Sequence, residues 1–436
     1  MQIAGSTANE IFESIRLLVL SGSLKSGDAL PPVRDLAAHL GVNRNTVAGV
    51  YKRLSVAGIA LTQGRYGTTI CAPAGKGEQE GRIPGSPLVD VASGNPNPQW
   101  LPALSTLIGA FKRAPCLYGD PTVNAGLAEI AKNWIAGDCP EAYELNLTHG
   151  AVDAIERLAA AHLIAGDQVA VEEPCFLGTI NALRIAGMRA VGVAIDGEGM
   201  RPEGLEAALK GGAKAVLITP RAHNPTGCSL TPERAQALGQ VIARYPQALV
   251  IVDDHFALLA DSAYHSVLMP DAARWALIRS MSKALGPDLR LAFVASDPET
   301  SRRLQQRLSS GMTWVSHILQ DVVEACLRSS AVARQIASAR SAYAMRRREL
   351  VAALRAHGIA ADEPPDGFNV WIPTAGDGRS LVHGMTQRGW LLRAGDAFEV
   401  QRPVRGVRIT VSMLEDGQAQ QLCGDLRQCL SERANS

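Results

Sequence analysis

Lys283 lies in the stretch SMSKALGPDLR, three residues after Ser280 and seven before Arg290. One loop can therefore offer a primary amine to a carbonyl, and a hydroxyl and a guanidinium to a phosphate. Thirty residues upstream, an apolar, β-branched run ends in Asp253. A carboxylate at the carboxyl end of a parallel strand faces a ligand crevice, where it would keep a pyridine nitrogen protonated. The motif HNPTG, His223 to Gly227, follows another such run, and its turn aims the Asn224 amide at a phenolic oxygen. GAVDAIERLAA, from Gly150, reads as a glycine turn opening a helix whose first N–H groups, at Ala151 and Val152, receive phosphate. Phe176, in EEPCFLG, is placed to stack on a flat ring. A lysine, an acid, a phosphate cup and a stacking face are what pyridoxal 5'-phosphate (PLP) requires. Taken singly, each has a plainer reading: a surface lysine, a turn aspartate, a core phenylalanine, a common helix start. Their order and spacing together set them apart.

The elements that must position these residues are legible around them. VAVE (169–172), AVLIT (215–219) and ALVIVD (248–253) alternate with helical stretches, as parallel strands buried on both faces by crossover helices do. From Asp297 an Arg-rich helical stretch leads to DGFNVWIP and GVRITVSML, which read as strands of a smaller α+β subdomain spanning about 298–436. Upstream, residues 72–87 are Gly/Pro-rich and polar, the composition of a linker. The expected fold class is α/β: an N-terminal helical module over 1–71, a linker, and a large domain over 88–436.

A chain of 436 residues exceeds one compact core. With 47% hydrophobic and 19% charged residues and no long apolar run, a soluble protein that neither crosses nor joins a membrane is expected. The polar N-terminus lacks an export signal. Eight scattered cysteines form no C-x-x-C pair and no cluster with histidine, so neither a disulfide framework nor a metal site is expected, and the cytoplasm is the simplest setting.

In the N-terminal module Ile11, Ile15, Leu18 and Val19 recur at helical spacing, Leu36, Ala37 and Leu40 share a second helical face, and Gly41 makes a turn. Asn43 can cap a third helix over about 44–56, with Val47, Val50 and Leu54 inward. Arg44, Asn45, Ala48, Gly49 and Lys52 then face solvent, as the reading face of a helix-turn-helix does. Arg44 and Arg34 are candidates for guanine or phosphate contacts. Seven Lys/Arg against four Asp/Glu in the first 70 residues agree with a polyanionic partner. GDALPPVRDLAAHLGVNRNTVAGVYKRLSVAGIALTQGRYGTTI resembles the winged helix-turn-helix of the GntR family along its whole length. The resemblance implies double-stranded promoter DNA as partner, contacted by Arg34, Arg44, Thr46 and, in a wing over Gln63–Gly67, Arg65. Pro32 departs from the serine usual there, removing one hydroxyl from the backbone contacts.

From Gly94 to about Arg408 the chain resembles fold-type I aminotransferases, with YGDP, HNPTG and S-x-S-K-x(6)-R all present. The resemblance implies Lys283 as the Schiff-base lysine, Asp253 on the ring nitrogen, Asn224 on the phenolate, and Ser280 and Arg290 on the phosphate. It also implies Tyr118 reaching across a dimer to the neighbouring phosphate. Arg408 would clamp an α-carboxylate, with Gly94 and Asn95 closing over it. Where these enzymes carry a tyrosine three residues after the aspartate, this chain reads Asp253-Asp254-His255-Phe256. Phe256 has no hydroxyl, so poor turnover is expected unless His255 takes its place.

The two modules in this order resemble the MocR subgroup of GntR regulators, which implies a head-to-tail homodimer whose aminotransferase-like domain senses a small molecule. RAHNPTGCSL is similar to members implying PLP itself as effector and vitamin B6 metabolism as the regulated process. Three functions follow: a repressor or other regulator sensing PLP or an amino compound that forms an aldimine with it, a working aminotransferase, or a constitutive DNA binder with a vestigial fold. The first is the expected one, with no more than weak or half-reaction transamination.

Overall fold

The computed structural model describes residues 3–25, 27–57, 59–62, 67–70, 80–108, 115–361, 366–376 and 378–434. The chain divides into a first unit, Met1–Gly77 with the short segments Leu163–Asp167 and Leu183–Arg189, and a second that begins at Glu78 and holds the rest. In the first unit α1 (Ala8–Leu20), α2 (Val33–Leu40) and α3 (Arg44–Val56) accompany β1 (Ala29–Leu30), β2 (Ala60–Thr62) and β3 (Thr68–Ile70). These strands pair antiparallel in the order β1-β3-β2.

Local chemistry sets the helix ends. The Thr7 hydroxyl accepts from the Glu10 N–H while the Glu10 carboxylate accepts from the Thr7 N–H, a reciprocal cap on α1. Gly41 ends α2 at φ 66°, a conformation favouring glycine. The Asn43 side chain then accepts from the Asn45 N–H at 2.8 Å to start α3. Ile11, Ile15, Leu36, Ala37, Val47, Val50 and Leu54 form one buried core, so the inward faces are those the spacing predicts. Tyr51 joins that core, and its hydroxyl donates to the Pro31 carbonyl at 2.6 Å, tying α3 to the chain entering α2.

The second unit opens with β4 (Val89–Asp90) and carries eight strands in one sheet. They are β5 (Glu144–Thr148), β6 (Gln168–Glu173), β7 (Arg189–Asp196), β8 (Gly199–Met200), β9 (Ala215–Ile218), β10 (Leu249–Asp253), β11 (Trp275–Ser280) and β12 (Ala292–Ser296). Their spatial order is β5-β12-β11-β10-β9-β6-β7-β8. The centre, β6, β9, β10 and β11, is parallel, whereas β12 runs antiparallel to both β11 and β5. Every residue of β9, β10 and β11 is buried, which explains their unbroken apolar runs. Asp253 pairs with Ile278, so the ends of β10 and β11 bring Asp253 and the Lys283 loop to one edge of the sheet.

Beyond it lie the long helix Ser330–Ala356 and the strands β13 (Asn369–Pro373), β14 (Trp390–Leu391), β15 (Arg393–Ala394) and β16 (Gly406–Thr410). The order β13-β16-β15 is antiparallel and holds Arg408 between Trp371 and Arg393. β14 pairs in parallel with β4. Val89 and Asp90 thus join the C-terminal subdomain, a contact that the boundary near 298 does not include. A two-residue ladder between distant segments has no local signature.

Candidate functional site

The SMSK loop leaves β11 through Ser280, and Lys283 sits in the single helical turn that follows, Ser282–Leu285. Its Nζ donates to the Gly94 carbonyl at 2.7 Å and lies 5.4 Å from the centre of the Phe368 ring. Burial lowers the basicity of this amine; Glu80 and Asp253 nearby offset part of the effect, and Arg408 adds to it. A less basic lysine presents more of the neutral, nucleophilic form.

Asp253 is buried at the end of β10, and its Oδ1 has no hydrogen-bond partner. Burial, then the adjacent Asp254 charge, pushes its carboxyl up to about 7, against the pull of Lys283. Buried polar atoms are almost always paired, so an orphaned carboxylate oxygen facing a lysine calls for a donor. A pyridinium N–H supplies one. Asp254 itself is fully buried and clasped by Arg221 at 2.7 and 2.9 Å and Arg279 at 3.0 Å. Arg279 reaches on to Asp138 and to the Trp134 carbonyl. This cluster escaped sequence reading because Arg221, Arg279 and Asp138 come from separate segments.

On the phosphate side, Gly150 at φ 97° opens the helix Ala151–His162, so Ala151 and Val152 stand at its N-terminus. A Cβ on Gly150 would meet Arg290 Nη2 at 2.8 Å, and that guanidinium donates to the His149 carbonyl at 2.6 Å. Arg290, itself at φ 45°, is thereby brought onto the glycine turn. The Ser280 hydroxyl, at the end of β11, lies 3.2 Å from that of Ser282.

Asn224 is buried, and its Oδ1 accepts from Arg408 Nη1 at 2.8 Å. Phe256 is buried and packs edge-on to Phe368 at 5.2 Å, an apolar setting in place of a hydroxyl. His255 Nδ1 lies 3.8 Å from Asp253 Oδ2 without a partner, and burial, with the Lys283 charge, lowers this imidazole to about 4, leaving it neutral at pH 7. The Phe176 ring packs with Leu177, Trp371 and Phe398, and Phe398 lies 5.1 Å from the Arg408 guanidinium. Arg408 is fully buried, Gly94 beside it is at φ 61°, and the Asn95 carbonyl accepts from Ser412. Tyr118 is 92% exposed, edge-on to Trp314. The orphaned Asp253 oxygen, the glycine turn under Arg290 and the less basic Lys283 together fit a phosphorylated pyridine aldehyde.

In the first unit Arg44, Asn45 and Lys52 are exposed along one side of α3, and Thr46 is half-buried. Arg34 is 75% exposed on α2 beside Asp35. Pro32 offers α2 no side-chain cap. Arg65 lies outside the described residues. Arg53, by contrast, is drawn over the Phe12 ring at 4.6 Å. Among the described residues no helix is long and apolar enough to cross a membrane, and no group of three or more metal-ligating side chains occurs.

Residues 7–70 match the model of the gntR family of bacterial regulatory proteins, and residues 89–426 match that of class I and II aminotransferases. The chain is 51% identical to the vitamin B6 salvage pathway transcriptional repressor PtsJ of Salmonella typhimurium, over 98% of this chain and 100% of that one. It is 26% identical to the probable rhizopine catabolism regulatory protein MocR of Rhizobium meliloti, over 88% and 89%. It is 28% identical to the pyridoxine biosynthesis regulator PdxR of Corynebacterium glutamicum, over 78% and 77%. Among solved structures, kynurenine aminotransferase of Pyrococcus horikoshii superposes with a TM-score of 0.73 at 21% identity, covering 81% of this chain and 93% of that one.

Proposed function

We propose, from the premise that the chain belongs to the GntR family of bacterial regulatory proteins and, through its larger domain, to the class I and II aminotransferases, that it is a PLP-responsive repressor of vitamin B6 salvage. It binds promoter DNA through α3 as a head-to-tail homodimer. The observation that carries this reading is the Asp253 oxygen left without a partner beside Lys283, with Phe256 where turnover would need a hydroxyl.

In this reading Lys283, Asp253, Asn224, Ser280, Arg290 and the N–H groups of Ala151 and Val152 hold the cofactor, and Phe176 flanks its ring. Bound there, PLP supplies an electrophilic aldehyde on a ring that can withdraw electrons. Lys283 presents its amine, Asp253 holds a proton at the ring nitrogen, and Arg290 neutralises phosphate charge. Phe256 donates nothing to the phenolic oxygen, so the site binds better than it turns over. Arg34, Arg44, Asn45, Thr46, Lys52 and Arg65 face DNA. The 51% identity to a repressor of B6 salvage supports the assignment of both ligand and pathway.

Titration of the full chain against its own upstream DNA, with and without PLP, tests the reading. Operator affinity should differ by at least about fivefold between the two, a coupling of about 1 kcal/mol, and the difference should vanish in Lys283→Ala. Equal affinities would overturn it. Arg408 favours a second reading, a working aminotransferase, and sustained multiple turnover with an amino acid and a keto acid would establish that one instead.

A further inference from the structure

Arg408 already holds a carboxylate. Glu80, at the start of the second unit, places its two oxygens on the two ends of the Arg408 guanidinium, Oε2 at 3.0 Å from Nη1 and Oε1 on Nη2. The pair is sequestered, with the Glu80 side chain 15% exposed and that of Arg408 0%. The remaining terminal N–H groups are also engaged, since Nη1 donates to Asn224 Oδ1 and Nη2 to the Ala92 carbonyl. A guanidinium has four terminal hydrogens, so the terminal fork has none left for an incoming carboxylate, and only the buried Nε–H is without a partner. Oε1 also sits 2.3 Å from where a Cβ on Gly94 would be, and the Gly94 carbonyl accepts from Lys283. Glu80 thus fills the space between the reactive lysine and the carboxylate clamp.

We infer that Glu80 is a specificity-determining residue, a built-in carboxylate that occupies Arg408 and closes the site to α-amino acids. Ligands that carry phosphate and aldehyde, or an amine without a carboxylate, enter without displacing it. An intramolecular competitor acts at an effective concentration of about millimolar for a short tether, and a bidentate guanidinium–carboxylate pair is the stronger kind of ion pair. An amino acid must break that pair before its own carboxylate can bind. The inference rests on the PLP reading and assigns its ligand class.

The test compares the full-length wild type with Glu80→Ala and Glu80→Gln. Each is loaded with PLP and titrated with L-alanine and, separately, with ethylamine, which is alanine without its carboxylate. The absorbance of lysine-bound PLP near about 420 nm reports binding. Wild type should respond to alanine no better than to ethylamine. In Glu80→Ala the half-saturating alanine concentration should fall at least tenfold with ethylamine unchanged, and Glu80→Gln, which keeps the shape, should move the same way. A second readout needs no cofactor: release of the pair should speed tryptic cleavage after Arg82 in the apo variants. Identical alanine responses, or equal cleavage rates, would overturn the assignment. Absence of the absorbance band in wild type would overturn the PLP reading instead, and the cleavage comparison would still decide whether Glu80 is clasped.

Discussion

Asp253 combines a raised carboxyl with an oxygen that has no hydrogen-bond partner. Its carboxyl is raised from an ordinary 3.8 to about 7 by burial and the Asp254 charge. Between those values the folded chain keeps a proton that the unfolded chain has released, so this residue's contribution to stability falls as pH rises through that window and is constant above it. Apo Asp253→Asn, which cannot ionise, should therefore gain melting temperature relative to apo wild type as pH rises from about 4 to about 7, while losing PLP affinity. Equal pH profiles of the two proteins would count against a buried, proton-holding Asp253. Phe256→Tyr is the complementary test: restoring a hydroxyl should raise the rate of single-turnover amino-group transfer, read by stopped-flow absorbance, without changing operator affinity. Around Lys283, Asp253 and Ser280 end strands and Ala151 and Val152 open a helix, positions that local pattern makes readable. Glu80 and the Asp254–Arg221–Arg279 cluster were not legible. A glutamate in a polar linker looks solvated, and an aspartate with two arginine partners far along the chain shows nothing locally.

The proposed recognition element is α3, and the legibility of this helix came from its ends and its period. Asn43 at the N-cap and the inward Val47, Val50 and Leu54 define both bounds and orientation. The wing tip had no such pattern beyond its resemblance to the family. Two variants separate reading from attraction. Arg44→Ala should weaken specific operator binding by about 1 to 3 kcal/mol. Lys52→Ala should weaken operator and unrelated DNA alike and reduce the slope of log affinity against log salt by about 1. Fluorescence anisotropy over a salt series distinguishes them; a salt slope unchanged by Lys52→Ala would take that residue off the phosphate backbone. Leu54→Ala, in the core of the same helix, should lose about 2–5 kcal/mol of stability, which serves as the structural control. Tyr51, bonded to the Pro31 carbonyl, holds α3 to the chain leading into α2, so the exposed Arg34 and Arg44 sit on one braced framework.

At the scale of the whole molecule, two compact units on one chain make unfolding more than a two-state event. PLP at about a hundred times its dissociation constant adds about 2.7 kcal/mol to whatever binds it. Calorimetry should accordingly show the larger transition moving up with PLP and the smaller one unmoved; a uniform shift of both would contradict a cofactor held by the second unit alone. The parallel strands and the helix-turn-helix were legible, because continuous apolar runs and helical period are local properties. The pairing of Val89–Asp90 with Trp390–Leu391 was not, because it depends on the closure of the whole domain. That pairing fixes the chain just beyond Glu80 to the subdomain that carries Arg408. Recruitment of an enzyme fold as a sensor needs no redesign of its interior if one acidic side chain, on a segment outside the catalytic core, silences the substrate subsite. Loss of that side chain would reopen the subsite to carboxylates, while Phe256 would still limit turnover there.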